Sequence, residues 1–88
     1  MNIADAYLAE KSLAPRAILL LEYMSENLNK LGDSFEFDEN KVRGLFRKGV
    51  NELRLGYFGL ADMNIFCKRQ LGCRNIVEYF RKDYSTDE

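Results

Sequence analysis

Apolar residues return at helical spacing along most of the chain, and the clearest run is Asp38 to Leu53, DENKVRGLFRKGVNEL. Advancing by about 100° per residue, Val42, Leu45, Phe46, Gly49, Val50 and Leu53 share one side, whereas Lys41, Arg43, Arg47, Lys48 and Arg54 share the other. One face is suited to a core and the other either to solvent or to an anion. Asp38 is placed to cap the free N–H groups, Phe37 and Val42 stand at the positions of a hydrophobic staple, and Glu39 complements the helix dipole. Gly44 and Gly49 oppose the helix by about 1 kcal/mol each relative to alanine.

Upstream, Asn2 caps a first short helix reaching about Lys11, with Ile3, Ala6, Tyr7 and Ala9 available for packing. Ser12 and Pro15 mark a new start, because proline fits a first helical turn and not an interior one; a second helix then runs from Arg16 to Leu31, where Gly32 ends it. Ala17 to Leu21 is apolar around the whole circumference, which calls for burial on at least two faces. Ile18, Leu19, Leu20 and Leu21 are therefore the candidate oligomer interface. Gly32, Asp33 and Ser34 form a polar turn, and Phe35 and Phe37 alternate with acids as a short extended connector.

Downstream, Gly56 to Gly59 is a breaker; Leu60, Met63, Cys67 and Leu71 recur at helical spacing, and Ile76, Val77, Phe80 and Tyr84 follow Gly72. These patterns predict an all-α fold: four to five short helices in a single domain over residues 1–84, a helix-turn-helix-like C-terminal hairpin, and a disordered acidic tail at 85–88. The alternative makes Tyr57 to Leu60 and Ile65 to Lys68 a β-hairpin in a winged-helix-like α+β fold. It ranks second, because Ala61 to Asn64 has no glycine to favour the turn.

Composition adds that 88 residues bury only a marginal core, so self-association or a partner is an expected source of stability. The longest apolar run is too short for a membrane span and no signal-peptide pattern occurs, so the expected compartment is the cytoplasm. Cys67 and Cys73 fit neither a disulfide framework nor a CxxC zinc pattern and read as free thiols, with an intermolecular disulfide as the other option. With no histidine, no catalytic carboxylate spacing and no glycine-rich phosphate loop, the parts of an enzyme are missing. No cofactor or metal is expected.

Charge changes the picture most. Met1 to Asn40 carries eight acids and three bases, Lys41 to Lys82 ten bases and three acids, and Asp83 to Glu88 three acids, hence −5, +7 and −3. A phosphate backbone matches the basic section, and an acidic protein surface matches it by the same Coulombic argument.

Leu60 to Lys82, LADMNIFCKRQLGCRNIVEYFRK, reads either as a helix-turn-helix or as a plain helical hairpin, and its spacing around Gly72 is one residue away from the usual motif. In the first case the second helix enters the major groove, and Arg74, Asn75 and Glu78 are the base-reading candidates. Lys68, Arg69, Arg81 and Lys82, with Lys41, Arg43, Arg47 and Lys48 of the preceding helix, are the phosphate-contact candidates.

Leu45-Phe46-Arg47-Lys48-Gly49-Val50-Asn51-Glu52 resembles the phenylalanine-arginine-x-glycine-isoleucine/valine-asparagine-glutamate segment of the FlhD family, DNA-binding subunits of bacterial flagellar activators. The resemblance extends weakly over Val42 to Asp83 and departs at Lys48 and through Gly56 to Gly59. It implies an all-α homodimeric subunit acting with an FlhC-like zinc-binding partner on double-stranded promoter DNA, recruiting RNA polymerase, in a version such as those on mobile elements. The alternative function is a small adaptor or inhibitor whose basic face docks on an acidic protein surface.

Overall fold

The computed structural model describes the backbone of residues 3–31 and 38–84, and the side chains of residues 13–31 and 38–82. The proposed Asn2 cap, the packing of Ile3 to Ala9, the Phe35/Phe37 connector, the Phe37 staple and the acidic tail lie outside the residues so described. Four helices, α1 (Ile3–Asn29), α2 (Glu39–Glu52), α3 (Leu60–Phe66) and α4 (Ile76–Tyr84), make an all-α fold, and a π-helical turn, Cys67–Leu71, continues α3. There is no strand among the described residues, and the β-wing alternative is overturned: the segment it needed as turn and second strand is helical.

One helix replaces the two expected before residue 30. Pro15 sits inside α1 on its exposed side, while Leu13 and Ala14 before it and Ala17 and Leu20 after it pack into the same core. An interior proline costs about 3 kcal/mol. Burying a single leucine contributes about 1.5–3 kcal/mol, so a core-facing stripe on both sides of the proline outweighs the lost hydrogen bond.

α2 forms where its pattern predicts. The Asp38 carboxylate accepts the Asn40 N–H at 2.8 Å, and Val42, Phe46 and Gly49 are buried. Packed against both α1 and α4, α2 bridges the two ends of the chain. At Gly49 α1 passes close: a Cβ built there would lie 2.5 Å from Leu20 Cδ1 and 2.8 Å from Tyr23 Cδ1. Beside it, Tyr23 Oη donates to Glu52 at 2.8 Å.

The helix stops in a Schellman arrangement. Leu55 N donates to Val50 O (3.1 Å) and Arg54 N to Asn51 O (3.3 Å), with Arg54 itself left-handed at φ 53°. Buried Leu55 and Phe58 then anchor the loop, and Phe58 stacks on Phe46 with ring centroids 6.0 Å apart. The Gly59 N–H donates to the Asp62 carboxylate at 3.0 Å and starts α3. The π-helical turn ends at Gly72, which is left-handed (φ 69°) and lets Cys73 N reach Cys67 O at 3.3 Å. Core residues come from all four helices, and no polar or charged residue is buried among those described.

Candidate nucleic-acid interface

The three base-reading candidates meet at the start of α4. Asn75 Oδ1 accepts the Glu78 N–H at 2.8 Å, while the Glu78 carboxylate accepts both the Arg74 N–H (3.0 Å) and Arg74 Nε (2.9 Å). Asn75 therefore caps α4 through its side chain, while Glu78 reaches back one residue further, to Arg74. Donation from the Arg74 backbone and then from its side chain holds the Glu78 carboxyl below its ordinary value. Asn75 and Glu78 thus have structural work in the free protein. Arg74 is different: its side chain is 82 % exposed, and Nε is its one engaged side-chain nitrogen among the described residues.

Arg81 and Lys82 lie about two turns along α4 from Arg74, on its exposed side, and Lys68 and Arg69 are exposed on the π-helical turn. From Met63 to Lys82 the charged side chains are five bases and one acid, Glu78, which Arg74 already engages. Between Met63 and Lys82 the outward charge is therefore mainly cationic, with apolar Ile76, Val77 and Phe80 turned inward.

The α2 candidates divide. Arg43 pairs with Glu39 at 3.6 Å and Lys48 with Glu52 at 4.0 Å, both exposed pairs of under about 1 kcal/mol that an anion readily replaces. Lys41 and Arg47 are exposed and take part in no ion pair among the described residues. Of the interface candidates, Leu20 is corrected: it is fully buried in the chain's own core and has no surface for a second copy. Leu21 is half-buried against that core, and Ile18 and Leu19 are each 50 % exposed on the outer side of α1.

Both thiols are buried. Burial pushes Cys67 up to about 12, with the neighbouring Cys73 adding to the shift, and burial also raises Cys73. They behave as small core residues. Among the described residues, no three acids or thiols converge as a metal would require.

Pattern reading gave Tyr57 no functional role, treating Gly56 to Gly59 as a breaker or, in the alternative fold, Tyr57 to Leu60 as a strand. Its side chain is 94 % exposed between two buried anchors, beside an open groove lined by Phe46, Val50, Phe58 and Leu60. An aromatic pair enclosed by glycines was the available signal. The chain matches no protein-family model, no curated protein and no solved structure.

Proposed function

We propose that this protein is a DNA-binding subunit of a bacterial transcription activator, which holds the phosphate backbone with the basic surface of its C-terminal helices. The observation that carries the reading is the Arg74 arrangement: an exposed guanidinium, steadied at Nε by Glu78, at the opening of a helix that also exposes Arg81 and Lys82. Engaging Nε with a carboxylate leaves the two terminal nitrogens for a two-point contact with guanine O6 and N7. Asn75 and Glu78 position Arg74 more than they read bases themselves. Lys68, Arg69, Arg81 and Lys82 supply phosphate contacts, and Lys41, Arg43, Arg47 and Lys48 a second, weaker set.

The FlhD-like segment on α2 supports the same reading and adds pairing through Ile18 and Leu19, a zinc-binding partner subunit and RNA polymerase as members of the assembly. The test is fluorescence anisotropy on promoter fragments at low salt, with and without the product of the neighbouring gene. Arg74→Ala should lose sequence preference, whereas Arg47→Ala should weaken all sequences equally. Absence of any binding would end this proposal.

The second reading, an adaptor docking on an acidic protein surface, draws on the commitment of Asn75 and Glu78 to the α4 cap. Capture of one stoichiometric protein, insensitive to nuclease, would favour it.

A further inference from the structure

We propose a second recognition surface, which shares only Arg47 with the proposed DNA contacts: the Tyr57 loop and the groove beside it dock a short acidic, amphipathic peptide segment of a partner protein. Folding gains nothing from Tyr57, whose side chain is 94 % exposed, yet the loop that presents it is pinned on every side. Buried Leu55 and Phe58 flank it, Leu55 N is bonded to Val50 O at 3.1 Å, and Arg16 Nη1 donates to the Tyr57 carbonyl at 3.1 Å. A solvent-facing tyrosine on an anchored backbone leaves only its own side-chain torsions to be ordered on binding, which suits an interface anchor.

The groove next to it, about 360 Å³, has an apolar floor that includes Phe46 stacked on Phe58, and Arg47 on its rim. Arg47 and Arg54 are exposed without an ion-pair partner among the described residues. The two acids nearest the groove in sequence are both engaged: Glu52, next to Asn51 of the lining, accepts from Tyr23 Oη and pairs with Lys48, and Asp62 accepts the Gly59 N–H. An apolar floor with Arg47 in its lining, and an exposed tyrosine next along the chain from the lining residue Phe58, calls for a ligand with one large apolar side chain beside carboxylates. A sugar-phosphate backbone satisfies the arginines but leaves the floor wet, which favours a peptide.

Selection from a random peptide library displayed on phage, with the full chain as bait, tests this directly. Enriched peptides should carry a large apolar residue flanked by Asp or Glu. Their affinity should fall at least about tenfold in Tyr57→Ala, as for an anchor residue, and should also fall in Arg47→Glu. Both side chains are exposed, so both variants should melt with the parent, and either one alone keeps the test decisive. No enrichment, enriched peptides without acids, or binding indifferent to both changes would overturn the proposal. So would a loss in Tyr57→Ala of duplex or single-stranded DNA affinity as large as that in Lys82→Ala, which would give the surface to nucleic acid. Concentration-dependent self-association abolished by Tyr57→Ala would give it to a second copy and overturn it equally.

Discussion

Gly44 and Gly49 stand on one helix five residues apart and should respond to alanine in opposite directions. At Gly49 a methyl group meets Leu20, which is fully buried and has nowhere to retreat, and Tyr23, which Glu52 holds. Overpacking of this kind costs about 1–3 kcal/mol, more than the roughly 1 kcal/mol of helix propensity recovered. At Gly44 nothing lies within 4 Å, so Gly44→Ala should stabilise by about 1 kcal/mol, read as a higher urea midpoint. Arg54→Gly should also stabilise, by up to about 1 kcal/mol, because it relieves a left-handed φ of 53° at the end of α2. Cys67, with its thiol pushed up to about 12, should resist a thiol reagent at neutral pH and react promptly in guanidinium. Fast labelling of the native protein would show that this part of the core opens readily.

At the level of the elements, the start of α4 is the place where stability and the proposed recognition meet. Asn75→Ala should cost about 1 kcal/mol through loss of the cap. Glu78 adds a pH signature. Its folded carboxyl titrates below the ordinary 4.5, so its stabilising contribution is complete above that value and is lost as pH falls through the lower folded value. Comparing urea midpoints of parent and Glu78→Gln, the gap should be present at pH 7 and close in acid. A gap that persists below the folded value would mean that charge is not what Glu78 contributes. Here too the limits of pattern reading become clear. α2 was legible down to its cap, because Asp38 and the Val42–Phe46–Gly49 stripe act locally. α1 was divided in error because a proline signals a local cost, whereas the compensating burial of Leu13, Ala14, Ala17 and Leu20 is tertiary. The π-helical turn was illegible for a related reason: it adds a residue between Cys67 and Gly72 without disturbing the apolar spacing that pattern reading follows.

For the whole molecule, the charge division of the sequence becomes a division of surfaces. The apolar halves of α2 and α4 close one core, which leaves their bases outward, while α1 contributes the exposed Ile18 and Leu19. If those two residues pair copies of the chain, sedimentation should show a dimer that Leu19→Asp converts to monomer; a single monomer mass at every concentration would remove pairing from the account. Where the exposed charge lay was readable from the sequence; that Leu20 belongs to the core, and that Arg74 is held by Glu78, required the fold. The central claim is that the basic outer surface of the C-terminal helices binds the DNA backbone. Its most direct test is the salt dependence of duplex binding for the parent and for Lys68→Ala/Lys82→Ala. The account predicts a logarithmic slope smaller by roughly 0.9 for each phosphate contact removed, with the fold intact. An unchanged slope, or no binding by the parent at low salt, would contradict it.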